Sequence, residues 1–321
     1  MTDESNETDA GVIGVGSMGQ HHARVYNELP EANLVGVYDV DDEQARKVAE
    51  KNGTKARELD ELLDRADVVS IAVPTAYHYE MAEQAIGQGV DVLVEKPFVD
   101  DRDKGEELLA MADRNDVIVQ VGHIERFNPA VMALRDIVPD LDIISVDARR
   151  LGPPIERHLG DTVVRDLMIH DIDILLWLID GRVSSVAAFD TDEAYTTANF
   201  EFADGTVGSL TASRVTQRKV RELTITAHSC QIAVDYIDQT VEIYRHSLPE
   251  YIEENGDIRY RHESIVERPM VENAEPLKSE LLAFVEAART GSTPVVSGED
   301  GLRAVEYVDE IEQLAGERSG R

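Results

Sequence analysis

A chain of 321 residues with 64 acidic against 31 basic side chains carries a formal net charge of −33. That balance excludes nucleic acid and anionic membrane as partners, since both require a basic face. The single cysteine, Cys230, excludes an internal disulfide framework and points to a reducing compartment, with the cytoplasm as the expected location.

The opening MTDESNETDA is acidic and has no apolar centre, unlike a signal peptide. Residues 1–9 read as a disordered tail. From 10 to 122, short apolar runs alternate with amphipathic segments. The runs are AGVIGVG (10–16), NLVGVYD (33–39), DVVSIAVP (67–74), VDVLVEKP (90–97) and DVIVQVG (116–122). Segments such as MAEQAIGQG (81–89) and EELLAMADRN (106–115) place apolar residues every three or four positions and predict helices. The alternation predicts an α/β fold over 1–122, a doubly wound parallel sheet with helices on both faces.

Gly14-Val15-Gly16-Ser17-Met18-Gly19 follows the first run and opens a helix to about residue 29. In that context Gly14 allows a tight turn, Gly16 lets the backbone approach a pyrophosphate, and Gly19 permits close helix–strand packing. The helix N-terminus offers unpaired N–H groups and a positive dipole end to the phosphates. Asp39, 20 residues after Gly19, suits the hydroxyls of an adenosine ribose and would repel a 2′-phosphate, so NAD is favoured over NADP. Arg46 nearby leaves NADP open. Ser17 and Met18 within the loop, and Pro74 and Thr75 after the third run, are counted with the cofactor site.

The stretch LVEKPF (93–98) ends an apolar run in two charges and a proline. Ligands of open parallel sheets bind beyond the carboxyl ends of the strands, so Glu95 and Lys96 are expected at the mouth of the cofactor cleft. There Lys96 is a fixed cation able to bind a substrate hydroxyl and stabilise developing negative charge. Pro97 would hold the chain rigid, and an X-Pro bond admits the cis form. The alternative is a Glu-Lys surface turn. His21, His22 and His123 are candidate cleft-edge residues.

After residue 140, ISVDARR (144–150), VSSVAAFD (183–190), TANFEFADGTVGSLTAS (197–213), RELTITAHS (221–229) and QTVEIYR (239–245) alternate apolar and polar residues. They predict an open, mainly antiparallel sheet, with Ala203-Asp204-Gly205-Thr206 as a hairpin turn. A helix is expected at about 161–179, and two more at about 276–289 and 299–315. The second half therefore reads as α+β, and the second domain runs over 123–321. The apolar run ILLWLI (174–179) is too short to cross a bilayer, which takes about 20 residues.

Asp166 and His170 lie at i and i+4 of the first of these helices and share a face. A histidine can take the proton of an alcohol while hydride leaves its carbon, with the carboxylate orienting the ring. A structural Asp–His hydrogen bond is the alternative. A metal is not expected: adjacent helical residues point about 100° apart, so His170 and Asp171 do not converge, and His170 with Asp173 lacks a third ligand. Asp171 and Asp173 are expected to pair with arginines.

GVIGVGSMGQHHARVY, VEKPF, VGHIERFNPAV (121–131) and GDTVVRDLMIHDID (160–173) together resemble the Gfo/Idh/MocA family of NAD(P)-dependent sugar and polyol oxidoreductases. The resemblance implies a Rossmann domain followed by an α/β domain whose sheet makes homodimers or homotetramers. It also implies Lys96, Asp166 and His170 as catalytic residues. Glu95 and Lys96 are carried with the cofactor site, and His123 with the substrate site. Gly160-Asp161 departs from the Gly-Gly common in the family. VGHIERFNPAV and RRLGPP (149–154) are most similar to members that oxidise the 3-hydroxyl of UDP-N-acetylglucosamine. That implies a nucleotide-sugar substrate, whose phosphates would suit Arg126, Arg149 and Arg150, although each suits a salt bridge equally. An aldose or inositol dehydrogenase and a non-catalytic NAD or sugar sensor are the alternatives. Arginine outnumbers lysine 24 to seven, and with so acidic a balance this resembles salt-in halophiles, where molar salt screens carboxylate repulsion. An ordinary acidic enzyme is the alternative there.

Overall fold

The computed structural model describes residues 7–154, 162–191, 194–246, 250–254, 257–261 and 263–319. They form two compact units, one of residues through Phe127 with Ala274–Tyr307, the other of Asn128–Asn273 with Val308 onward.

The first unit contains the strands β1 (Thr8–Ile13), β2 (Ala32–Tyr38), β3 (Val68–Ile71), β4 (Asp91–Glu95) and β5 (Val119–Gly122). Between them lie the helices α1 (Gly19–Glu28), α2 (Asp42–Lys51), α3 (Leu59–Leu63), α4 (His78–Gly87) and α5 (Arg102–Asn115). The sheet is parallel, in the order β2-β1-β3-β4-β5, and its switch point falls between β1 and β3. All five predicted runs are strands of the predicted doubly wound sheet. Strand alternation divides the core in two. Ile13, Ile71, Val92, Val94 and Val121 face one side, while Ala10, Val12, Val68 and Leu93 face the side of α1 and α2.

Two expectations change here. β1 begins at Thr8, which pairs with Ala32, so the end of the expected tail is ordered strand. The second correction concerns the domain limit, placed at 122/123 with everything after it in one domain. Helix α9 (Pro276–Thr290), counted after the short helices and α8 given below, returns to the first unit. Its Leu277, Leu281, Phe284 and Val285 share a core with Val25 and Tyr26 of α1. Val296 and Val305 fill the opposite core. A sheet with two apolar faces needs helices on both, and these late residues supply part of that cover.

The second unit opens with two short helices, α6 (Pro129–Met132) and α7 (Leu134–Ile137). Its main sheet has eight strands: β6 (Ile143–Leu151), β7 (Val183–Thr191), β8 (Tyr195–Phe202), β9 (Val207–Ser213), β10 (Val220–Ala227), β11 (Gln231–Asp235), β12 (Thr240–His246) and β15 (Ser264–Glu267). A separate hairpin joins β13 (Glu250–Glu254) to β14 (Asp257–Arg261). The sheet order is β15-β12-β11-β10-β6-β9-β8-β7, antiparallel except where β6 meets β9. That matches the expected open, mainly antiparallel sheet. The predicted hairpin turn joins β8 to β9, with Gly205 at φ +92° and the Thr206 N–H donating to Asp204 Oδ1 at 2.9 Å. One face is covered by α8 (Ile169–Leu178). A Cβ on Gly208 of β9 would lie 2.6 Å from Leu175, so glycine lets the helix sit this close. No helix among the described residues is long and apolar enough to cross a membrane.

Candidate active site

The glycine loop follows β1. Gly14 has φ +83°, and a Cβ there would meet the Ala72 backbone at 2.9 Å. A Cβ on Gly19 would stand 1.8 Å from the Gly14 carbonyl oxygen, so that glycine lets α1 start tightly against the turn. A Cβ on Gly16 would meet nothing within 4 Å, so this glycine serves approach from outside. No side chain caps the first turn of α1; the Gln20 and His21 N–H groups donate to the Gly16 and Met18 carbonyls, so a phosphate would be met by the loop amides just before them. Ser17 and Met18 are exposed there.

Asp39 has a second task. Its Oδ2 accepts from the Val15 N–H at 2.7 Å and its Oδ1 from the Asp41 N–H at 2.9 Å. The carboxylate thus ties the glycine loop to the end of β2, and each oxygen keeps a lone pair for a ribose hydroxyl. Beside it lies a cleft of about 310 Å³ walled by Gly14, Gly16, Val40, Pro74, Tyr77 and Met81. A polar rim with an apolar wall fits a dinucleotide. Val40 and Tyr77 escaped the sequence reading because isolated apolar residues carry no motif, and Met81 because an apolar position in a predicted helix reads as core. Thr75 opens the short turn Thr75–Tyr77. Arg46 is 70 % exposed and pairs with Asp42 at 3.2 Å.

Glu95 and Lys96 stand at the carboxyl end of β4, as expected of an open sheet. Glu95 is turned inward. His22 Nε2 lies 2.9 Å from Glu95 Oε1, and the Lys96 N–H donates to Oε2 at 3.3 Å. Burial pushes the Glu95 carboxyl up, but the His22 contact and the neighbouring Lys96 outweigh it and hold it below the ordinary range. Glu95 pairs in register with Gly122, where a Cβ would press on its carboxyl at 3.1 Å. Glu95 therefore acts as the brace of the turn, and the cofactor contact expected of it gives way to this role. The bond from Lys96 to Pro97 is cis. His78 spans the Pro97 and Val73 carbonyl oxygens, each at 2.9 Å, and burial depresses its basicity despite both contacts. Lys96 itself is half-buried. His22, expected at the cleft edge, is instead fully buried against Glu95; that it and His78 meet the Glu95–Pro97 turn was findable only from the fold, since both lie in sequence far from it.

His123, just past β5, is fully enclosed. Arg126 is also buried, with NH2 3.7 Å from Asp300 Oδ1. Asp300 in turn accepts from the Ser297 N–H at the start of α10 (Gly298–Ser319). A buried, paired guanidinium is a poor receptor for a phosphate, which corrects the expectation for Arg126.

Arg149 and Arg150 part company because adjacent strand residues point to opposite faces. Arg150 is 3 % exposed and grips Asp171 through two hydrogen bonds, Nε to Oδ2 at 2.9 Å and NH2 to Oδ1 at 2.8 Å. Its guanidinium also stacks 5.4 Å from the Tyr236 ring centre. Arg149 is exposed on the other face, away from α8. Of the two alternatives open for Arg150, the salt bridge is the one the fold shows, and the two arginines do not face one ligand. Asp171 has found an arginine as expected.

Asp166 lies on a π-helical turn, Val164–Met168, that leads into α8. The regular helix expected from 161 begins only at Ile169, and residues 155–161, with Gly160-Asp161, lie outside the described residues. The wider turn retains Asp166 and His170 close to one face, and π-turns within helices are common at functional sites. Asp166 Oδ2 accepts from Arg214 NH2 at 2.7 Å. Arg214 was missed, since it lies 48 residues away at the end of β9. His170 is half-buried. No cluster of metal-ligand type was found among the described residues.

Comparison with known proteins agrees with this layout. The family profile described as an oxidoreductase with an NAD-binding Rossmann fold matches residues 8–123, and the family's C-terminal domain matches 145–233. A UDP-N-acetylglucosamine 3-dehydrogenase of Acidithiobacillus ferrooxidans is 37 % identical over 243 residues, 73 % of this chain and 76 % of that protein. Its crystal structure superposes with a TM-score of 0.89 at 30 % identity, covering 96 % of this chain and 97 % of that one. An inositol 2-dehydrogenase of Rhizobium meliloti is 25 % identical over 331 residues, 96 % of this chain and 97 % of that protein. With the NAD-binding loop, the Glu-Lys-Pro turn and both family domains present, the chain belongs to the Gfo/Idh/MocA oxidoreductases, which act on CH–OH groups.

Proposed function

We propose that this protein oxidises a secondary hydroxyl of a nucleotide-linked sugar, the 3-hydroxyl of UDP-N-acetylglucosamine or a close relative. The observation that carries the reading is the 37 % identity to an enzyme of that name, in a chain that retains Lys96, Asp166 and His170. NAD, when bound, supplies the hydride acceptor. Gly14, Gly16, Ser17, Met18, Gly19, Asp39, Pro74 and Thr75 would hold it. The His170 imidazole takes the hydroxyl proton as the carbon gives up hydride and the C–O bond becomes a carbonyl. The Lys96 ammonium stabilises the negative charge that grows on that oxygen. Asp166 orients the imidazole, and its ion pair with Arg214 holds the carboxylate in place.

The near full-length similarity to an inositol 2-dehydrogenase supports a second reading, a cyclic polyol as substrate. A panel of UDP-sugars, free aldoses and inositols, with NAD or NADP, in low salt and in molar KCl, separates them by NADH absorbance. UDP-N-acetylglucosamine with NAD is expected to show the highest kcat/KM, with activity greatest in high salt. A higher kcat/KM on an inositol transfers the assignment. Cofactor binding without turnover of any sugar makes the protein a sensor. The exposed face of the second unit's sheet bears Phe189, Tyr244 and Val266 and is proposed to join copies as a homodimer or homotetramer, which sedimentation would read.

A further inference from the structure

Behind the Glu95–Lys96 turn lies a polar cluster that the proposed chemistry does not use. Glu280 on α9, His22 on α1 and Gln120 on β5 are each 0 % exposed. Four of their atoms meet no hydrogen-bond partner among the described residues: both Glu280 carboxyl oxygens, Gln120 Oε1 and His22 Nδ1. Their other polar atoms are engaged. His22 Nε2 lies 2.9 Å from Glu95 Oε1, and Gln120 Nε2 donates to the Glu280 backbone carbonyl at 3.4 Å.

An ionised carboxylate is costly in such a place. Burying an unpaired ion is strongly unfavourable, and Glu95, already ionised, repels a second negative charge. A proton removes the charge and turns Glu280 into a hydrogen-bond donor. The cluster is short of donors. Gln120 Oε1 is an acceptor. The Glu95 carboxylate can only accept, so His22 Nε2 holds a proton, and in the neutral ring Nδ1 is then an acceptor as well. Burial, and the Glu95 charge after it, push the Glu280 acid well above its ordinary 4.5. Other titratable groups face the cluster. Tyr26 stands one turn beyond His22, its hydroxyl 2.8 Å from Ser70 Oγ, and Lys96 and His78 act on Glu95. The turn Ile124–Phe127, also against α9, adds Glu125 and Arg126, the latter paired with Asp300.

We propose that Glu280 is a neutral acid whose O–H, through an enclosed water, completes a chain through His22 to Glu95, and that this chain sets the place of Lys96. Glu280 is then a positioning residue. This inference rests on Lys96 acting in the reaction, whereas the proton on Glu280 does not.

The test uses the full chain with E280Q, which copies the neutral acid, and E280L, which removes its polarity. A neutral acid in the fold ionises on unfolding, so the folded state binds the extra proton and wild-type stability falls as pH rises above about 4.5. E280Q has no proton to lose. Its Tm should therefore gain on wild type as pH climbs from about 5 to about 8 at constant salt. A Tm difference that does not change with pH, or that moves the other way, overturns the neutral acid. Long-range 1H–15N spectra should show the His22 ring unchanged in E280Q and shifted in E280L. An unshifted ring in E280L breaks the chain. On a turned-over sugar, E280L should lose about tenfold in kcat with NAD affinity unchanged, and E280Q should restore it to within about twofold. Full kcat in E280L would sever Glu280 from Lys96. If no sugar is turned over, the failure belongs to the catalytic reading, and the Tm and His22 measurements still decide the proton and the chain.

Discussion

The two units place their chemical groups by different means. In the first, backbone does most of the work: a glycine turn at φ +83°, a strand end that delivers Lys96, and a helix start without a side-chain cap. In the second, pairs of distant side chains do it. Asp166 is held by Arg214, 48 residues away, and Asp171 by Arg150, 21 residues away. Backbone placement is written in local sequence. Placement by pairing depends on a partner that only the fold brings near.

That contrast is most severely tested at the Arg150–Asp171 pair. Arg150→Met leaves a buried carboxylate without its cation and should cost about 3–5 kcal/mol in denaturant unfolding. R150M/D171L should recover much of it, because two apolar side chains leave no charge behind. A loss below about 1 kcal/mol in the single variant would mean that the pair does not hold α8 to β6.

Lys96→Ala tests the first unit. Turnover should fall by roughly 10² to 10³, with NAD affinity by fluorescence titration within about twofold, since the glycine loop holds the cofactor independently. Full turnover in this variant would remove Lys96 from the chemistry.

Glu95→Gln comes next. The folded Glu95 acid is held low by His22 and Lys96 against the effect of burial. Its contribution to stability is therefore present above the ordinary value of 4.5 and lost as pH falls through the lower folded value. At neutral pH the variant should lose roughly 1.5–3 kcal/mol, the range for a charge-assisted hydrogen bond. The gap should close below about pH 4.5, opposite in sense to that at Glu280. A gap that persists at low pH would mean that Glu95 is not ionised in the fold.

Arg214→Gln should cost about tenfold in kcat, near 1.4 kcal/mol, and Arg214→Lys should recover part of it by restoring the cation beside Asp166. Unchanged kcat in R214Q would leave the pair structural. The smallest effect is expected at Arg149→Gln. The residue is exposed on the sheet face away from α8, so stability should stay within about 0.5 kcal/mol and kcat/KM should not move. A large rise in KM for a nucleotide sugar would return Arg149 to the substrate site.

The alternation of apolar runs and amphipathic segments was enough to determine the parallel sheet, because each buried strand must be nearly all apolar and each covering helix must show one apolar stripe. Period-two alternation did the same for most of the second sheet. The glycine spacing and the Glu-Lys-Pro turn were legible for a related reason: both exploit conformations and strand ends that few residues tolerate. Where α9 packs was not legible, since an amphipathic stripe states that a helix is covered without stating by what. The partners of Arg126, Arg150, Glu95 and Asp166 were hidden for the same cause. A charge in the sequence has a sign and a position, and only tertiary structure decides whether burial, an opposite charge or water meets it.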